Sequence, residues 1–365
     1  MKFRCERDLL FDALSVAGRA VSTRGTSLPV LSAVLFETTE DSLILTGTDL
    51  DLTIQVVVPV VVTESGLAAI PARLITDIVK AVQQGAVTIE SDEHEARVSA
   101  GRSQFAVRTL DAEEFPRITP VENYTATLPS AELADALKQV VRAASADDAR
   151  PVLTGVLLSA ENDGLRLVAT DSYRLAIRDV AGANVLQAEQ SVLVPSKALG
   201  ELGRLLGGTE EVRVALDERE ITFSIGGTRV SSRLIEGQFP DYRPLIPATY
   251  PNRLRLDRDV LLEAVRRVKL LVRDTTTPVR LALRADGVEL TVVSQEIGQA
   301  TEDVEAKYEG DAITVAFNPA YLIDGLEAVP PGDVLIETID ALKPATLKVD
   351  ERSDFLYLIM PVRVS

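Results

Sequence analysis

The sequence predicts an α+β protein of three tandem similar domains, each with two helices and about eight strands. Three observations carry that prediction. An apolar alternation broken by a Thr-Asp pair is written twice, as LTGTDLDLTI at 45–54 and LVATDSYRLAI at 167–177, about a third of the chain apart. An apolar residue and a proline followed by helical spacing occur three times, as IPARLITDIVKAV (70–82), VPSKALGELGRLL (194–206) and FNPAYLIDGLEAV (317–329). Hairpin-like segments are separated by single helices in every copy, an order that suits antiparallel sheets rather than a doubly wound parallel one.

Each unit opens with a helix, expected at about 7–21, 130–144 and 258–273. In the second of these, Leu133, Leu137, Val140 and Ala144 form one apolar stripe at the 3.6 period. A strand phrase follows: LPVLSAVLF (28–36) is matched by RPVLTGVLL (150–158) and, more weakly, by TPVRLAL (277–283). Asn162-Asp163-Gly164 and Ala285-Asp286-Gly287 read as hairpin turns, since Asp-Gly between apolar runs is a strong hairpin signal. The second helix carries its proline in the first turn, where a missing N–H costs nothing, and Ser196 and Asn318 read as N-caps. RSQFAVRTL then EEFPRI (113–118) closes the first unit, TRVSSRLI then GQFPDY (237–242) the second, and FLYLIMPVRV (355–364) the third. Proline-bearing linkers near 119–125 and 245–252 place the domains at 1–121, 122–247 and 248–365.

A hydrophobic content of 46% supports real cores, and no apolar run approaches the length of a membrane span. The opening MKFRCERDLL carries acids and no apolar signal segment, and Cys5 is the single cysteine, so the cytoplasm is the expected compartment and no internal disulfide is possible. The one histidine, His94, lies among acids and cannot build a zinc site with one remote cysteine. No glycine-rich phosphate-binding loop occurs, so no cofactor is expected. Catalysis by carboxylates alone stays open at this point, although no pair stands out among the 55 acids.

The formal charge of −17 by itself argues against a nucleic-acid partner. Its distribution argues otherwise, because the helical segments together are slightly basic and the acid lies in strands and loops. Arg73 and Lys80 are seven residues apart, opposite Leu74, Ile78 and Val82; Lys197 and Arg204 repeat that spacing opposite Leu202 and Leu205. Lys138 and Arg142 oppose the stripe of their helix, and Arg258, Arg266, Lys269 and Arg273 share one side of theirs. Lys and Arg are ordinary choices for a solvated helix face. Four such faces in so acidic a chain favour an inner helical layer that attracts phosphate and an outer layer of strands. Screening over about 8 Å at physiological salt would keep the acidic exterior from opposing it. Arg73, Lys80, Lys138, Arg142, Lys197, Arg204, Arg266 and Arg273 are the expected DNA-facing residues, acting through sequence-independent attraction.

GTDLDL, ATDSYRL, GRSQFAVRTL followed by FP, EGQFPDYRPLIP, FNPAYL and YLIMPVRV, in that order over the whole chain, resemble the bacterial replicative sliding clamps, the beta subunits of DNA polymerase III. The resemblance implies the DNA clamp fold in a head-to-tail homodimeric ring that encircles duplex DNA. It implies a processivity factor and not an enzyme. Implied partners are the replicative polymerase catalytic subunit, an ATP-dependent clamp loader, and other polymerases and repair proteins with short clamp-binding motifs, with no membrane. It adds Arg24 to the DNA-facing set. It also implies a peptide-binding pocket: Thr170, Ser172, Tyr173, Arg174 and Leu175 form one side. Leu153, Pro240, Leu245, Leu358, Met360, Pro361, Val362 and Arg363 form other walls, with Asn318 and Tyr321 at the far rim. Ser172-Tyr173 stands where Gly-His is common in the family, and Pro244 where a basic residue is common. Phe105 and Val107, with Leu270 and Leu271, are implied at the subunit contact, where Glu296, Glu302, Asp303 and Glu305 would face Arg102 and Arg108. The alternative is a peptide-binding scaffold of similar domains that never encircles DNA.

Overall fold

The computed structural model of the chain describes residues 1–22, 28–119, 121, 123–161, 163–207, 211–274, 277–351 and 353–363. Arg24 therefore lies outside the described residues. Six α-helices occur among them: α1 (Arg7–Ala17), α2 (Ala72–Ala81), α3 (Ser130–Val140), α4 (Ser196–Leu205), α5 (Arg258–Val268) and α6 (Pro319–Ala328). The longer first helices expected from periodicity are α1, α3 and α5, each extended by a single 3-10 turn, at Gly18–Ala20, Val141–Ala143 and Lys269–Leu271. No described helix is long and apolar enough to cross a membrane.

The chain divides into two compact units. One comprises Met1–Ser130 with Arg204–Leu234, the other Ala131–Gly203 with Ile235–Ser365, so the middle third of the sequence contributes to both. In the first unit, a five-stranded sheet runs Val61–Glu64, Lys2–Glu6, Ala86–Ser91, Glu95–Ala100, Ser103–Arg108. An eight-stranded sheet runs Ala126–Pro129, Glu211–Leu216, Glu220–Ile225, Thr228–Arg233, Leu52–Pro59, Ser42–Thr48, Ala33–Thr38, Gly66–Pro71. Its middle joint pairs Thr228–Arg233 antiparallel to Leu52–Pro59, with Ser231 opposite Thr53. In the second unit, a nine-stranded sheet runs Ser191–Pro195, Gly155–Glu161, Gly164–Thr170, Arg174–Ala181, Phe355–Ile359, Ala345–Lys348, Asp333–Thr338, Asn252–Asp257, Lys307–Glu309. A four-stranded sheet completes that unit: Gly298–Glu305, Gly287–Ser294, Val279–Arg284, Ile313–Phe317. Joining strands from different thirds of the sequence removes sheet edges that would otherwise stay unpaired.

The cores follow the binary pattern. On α1, Leu10 and Leu14 are fully buried, and Phe3 and Phe36 pack with ring centroids 6.4 Å apart. In the second unit α3 and α4 approach through the small residues Gly200 and Gly203, which face Val141 and Leu137. Three local expectations are corrected. Ile78 and Val82 are buried as expected, but Leu74 is exposed and α2 buries Ile75 and Val79 beside them, on the face that includes Ala72. Ser196 is the first residue inside α4 rather than the residue before it. Gly287 closes its hairpin turn rather than standing at the tip: it pairs with Arg284, and a Cβ there would lie 2.6 Å from the Val304 carbonyl oxygen, so glycine is needed for close strand approach.

Candidate functional site

The two Thr-Asp phrases fold into the same hydrogen-bonded turn, one in each unit. Asp49 Oδ1 accepts from the backbone N–H groups of Asp51 (3.2 Å) and Leu52 (2.8 Å), and Thr48 Oγ1 accepts from Leu50 N–H (3.1 Å). Asp171 Oδ1 likewise accepts from Tyr173 (2.9 Å) and Arg174 (3.0 Å), and Thr170 Oγ1 accepts from Ser172 N–H (3.2 Å) while donating to the Arg174 carbonyl (2.7 Å). The residue after the aspartate sits at φ 81° in both, at Leu50 and Ser172. The repeated pair is thus a device for closing a tight hairpin, and the side chains that follow decide what the hairpin carries.

In the second copy that hairpin carries Tyr173 and Arg174. Arg174 is nearly buried: its Nε donates to Asp171 Oδ2 at 3.0 Å, its Nη1 donates to Asp324 of α6, and its guanidinium lies 4.4 Å from the centre of the Tyr321 ring. Burial opposes its charge, but Tyr357 and the Asp324 and Asp171 carboxylates more than offset that and hold its pKa above the ordinary arginine value. Tyr173 is 58% exposed and stacks on Tyr321, with centroids 6.3 Å apart. Asn318 caps α6, accepting from Ala320 N–H (2.8 Å) and Tyr321 N–H (3.4 Å), which fixes where Tyr321 stands. Tyr357 donates to the Tyr321 carbonyl at 2.9 Å, and its burial pushes its phenol pKa upward. The backbone N–H of Met360 donates to the Tyr173 carbonyl (2.8 Å) and that of Val362 to the Ala316 carbonyl (2.7 Å), so the segment after strand Phe355–Ile359 is tied beside the turn.

Under these groups lies an apolar floor of Val168, Leu175, Ile177, Tyr242 and Leu358, with Leu157, Phe239, Ile246 and Leu356 packed against it. Leu175 and Leu358, expected as walls, are floor: each is 1% exposed because they face one another as a cross-strand pair. Leu153 is also buried, on the 3-10 turn Pro151–Thr154. The apolar surface open to solvent comes from Tyr173, Leu245, Met360 and Pro240, and Arg363 is exposed beside half-buried Pro361 and Val362. Sequence reasoning missed Asp171 and Asp324 as partners of Arg174, and Tyr242 as floor, although Tyr242 ends the repeated GQFPDY phrase. It also missed Arg150, whose Nη1 donates to Ser172 Oγ at 3.1 Å. Polar anchors around an apolar floor suit a short peptide with hydrophobic side chains.

The other expected groups are placed as follows. Arg73, Lys80, Lys138, Lys197, Arg204 and Arg273 are exposed. Arg142 and Arg266 are exposed too, yet both are ion-paired with Glu327 of α6, the latter at 2.7 Å. Arg258, expected beside Arg266, is largely covered and pairs with Asp259 at 2.8 Å. Phe105 is 38% exposed on Ser103–Arg108, an edge strand, whereas Val107 turns into the core. That corrects Val107 as a side-chain contact: it shares a strand face with Phe105, and that face is covered at Val107 and open at Phe105. Leu270 is 79% exposed and Leu271 half-buried. Glu302, expected to face a partner, binds Arg267 of its own unit at 2.8 Å.

Comparison with known proteins adds three domain matches in succession. They are the DNA polymerase III beta subunit N-terminal domain over residues 1–119, its central domain over 127–241 and its C-terminal domain over 243–363. The beta sliding clamp of Streptomyces coelicolor is 36% identical and that of Staphylococcus aureus 31%, the first over all of both chains and the second over all of this chain and 99% of its own. Among solved structures, a sliding clamp from Bartonella birtlesii bound to griselimycin aligns with a TM-score of 0.93 at 30% identity, and the DNA polymerase sliding clamp of Bacillus subtilis with 0.92 at 29%, each covering all of both chains.

Proposed function

The chain belongs to the DNA polymerase III beta subunit family, and from that premise we propose that it is a sliding clamp whose pocket at 170–174 tethers a polymerase to duplex DNA. The observation that carries the tethering role is the held cation at the rim of an apolar floor. Arg174 is fixed by Asp171 and Asp324 over Tyr321, with Tyr173, Leu245 and Met360 exposed around it. A peptide can set apolar side chains against leucine, methionine and tyrosine and place a polar end at Arg174. Methionine adapts to ligands of different shape, which suits a pocket used in turn by several polymerases and repair proteins.

The ring reading rests on two sheet edges. Ser103–Arg108 ends one sheet and Gly298–Glu305 ends another, and each leaves backbone groups for another copy to pair with. Head-to-tail pairing of these two edges in two copies closes a circle. Exposed Phe105 and Leu270 supply apolar contacts for that joint. DNA is held by enclosure, helped by Arg73, Lys80, Lys138, Lys197, Arg204 and Arg273, and in no case by reading bases, because each base contact would hinder sliding. The protein performs no reaction of its own; the clamp loader supplies the ATP-driven opening.

Two measurements test this. Met360→Ala combined with removal of residues 361–365 should abolish calorimetric binding of a peptide from the tail of the polymerase catalytic subunit while the dimer mass in sedimentation is unchanged; unaltered affinity rejects the pocket. Protein loaded on nicked circular plasmid should remain bound and be released on linearisation. Equal retention on both would favour a scaffold that does not encircle DNA.

A further inference from the structure

Helix α6 carries two acids on one face, Asp324 and Glu327, and their partners form a continuous chain within the second unit. Arg174 of the pocket binds Asp324 Oδ2, and the Asp324 Oδ1 atom lies 3.6 Å from Arg142 Nη1. Arg142 also binds Glu327 Oε2. Glu327 Oε1 accepts from Arg266 Nη2 at 2.7 Å, and Arg266 Nη1 donates to Glu263 at 2.6 Å. The chain begins at the rim of the peptide pocket and ends on two cations of the basic helix faces. Neither acid belongs to the pocket floor, and neither is needed to cap α6, whose N-cap is Asn318.

We propose that Asp324 and Glu327 are positioning residues that couple the pocket to the helix face, so that a polyanion on Arg142 and Arg266 weakens peptide binding at Arg174. This rests on the peptide-pocket reading above. Asp324 divides its charge between Arg174 and Arg142. Phosphates that draw Arg142 and Arg266 away from Glu327 leave Asp324 to Arg174 alone. The Arg174 Nη1 donor is then held more tightly by Asp324 and is less available to a peptide's carbonyl or carboxylate. Linkage makes the effect reciprocal, so a bound peptide weakens the duplex by the same factor. A partner arriving on the clamp thereby eases the grip of the helix face on DNA.

The test is peptide affinity, by calorimetry on the whole dimer, with and without a saturating blunt duplex at low salt. In the native protein the duplex should weaken the peptide by about threefold, the scale of a half-exposed ion pair. Glu327→Gln, which keeps the side-chain shape, should free Arg142 and Arg266. Duplex affinity should then rise with a steeper salt dependence, and peptide affinity should respond to the duplex less than in the native protein, since only Arg142 still reaches Asp324. Asp324→Asn, which removes the carboxylate that Arg174 and Arg142 share, should abolish the response. If the native protein binds both ligands independently, the coupling is refuted while the pocket stands. If the response survives undiminished in both variants, direct repulsion or contest within the pocket is the cause and the relay is refuted. If the native protein binds no peptide, the pocket reading falls and the relay with it.

Discussion

Ser172 occupies a backbone conformation that a side chain resists. Its φ of 81° lies in the left-handed region, where glycine is the natural occupant, and Leu50 stands at the same angle in the other copy. Both are held by hydrogen bonds to the preceding threonine hydroxyl and by the aspartate that closes the turn. Ser172→Gly and Leu50→Gly should therefore each stabilise the protein, by about 0.5–1 kcal/mol, measured as a shift in the denaturation midpoint without change of slope. Ser172→Gly also removes the hydroxyl that receives Arg150, an exposed contact worth little by comparison. The serine in this position was legible in the sequence as a departure from the glycine common in the family. The reason glycine is common there was not, because a dihedral angle leaves no mark in one sequence.

At the scale of elements, α6 does the most to assemble the site. It is capped by Asn318, presents Tyr321 to Arg174 and Tyr173, and admits the buried ring of Tyr357 at Gly325. A Cβ at Gly325 would lie 2.6 Å from Tyr357 ring atoms, and that ring is 1% exposed and has nowhere to move. Gly325→Ala should cost about 1–3 kcal/mol in thermal or denaturant unfolding, against the gain an alanine normally brings to a helix interior. The acids of the same helix give a pH signature. Burial works against the Glu327 charge, but hydrogen bonds from Arg142 and Arg266 more than offset it and leave its pKa below the ordinary glutamate value. The pairing therefore contributes stability in full above the unfolded carboxylate's pKa of about 4.3 and loses it as pH falls through the lower folded value. Native and Glu327→Gln proteins should differ in unfolding free energy at neutral pH and converge in stronger acid. Equal curves throughout would show that the pairing contributes nothing.

For the whole molecule, the decisive property is association. Leu270 is the most exposed large apolar side chain among the described residues, and it follows α5 directly on a 3-10 turn with Leu271. If a second copy covers this leucine, Leu270→Ala with Leu271→Ala should convert the dimer in sedimentation to a monomer or a weaker dimer. A dimer of unaltered affinity would exclude this contact. Val107 shows the limit of reading an interface from a strand: Phe105 and Val107 share one face by the period of two, but how far along that face the core extends, covering Val107 and leaving Phe105 open, is set by tertiary packing. Arg142 and Arg266 show the same limit for helices. Their solvent-facing positions follow from the 3.6 period, whereas their pairing with Glu327, some 60 and more residues further along the chain, does not.

What the sequence determined alone was everything with a period or a local bond: the repeated units, the paired helices, the Thr-Asp turns, the Asn318 cap, and the ordered phrases by which the chain resembles its family. Propensity, binary pattern and capping act over a few residues, so one chain records them. What only the tertiary structure decided was which charges meet and which leucines are floor rather than wall. It also decided that the middle third of the sequence is shared between two compact units. Those outcomes depend on strand pairing across more than a hundred residues, as between Arg174–Ala181 and Phe355–Ile359, and no local rule selects the partner of an edge strand.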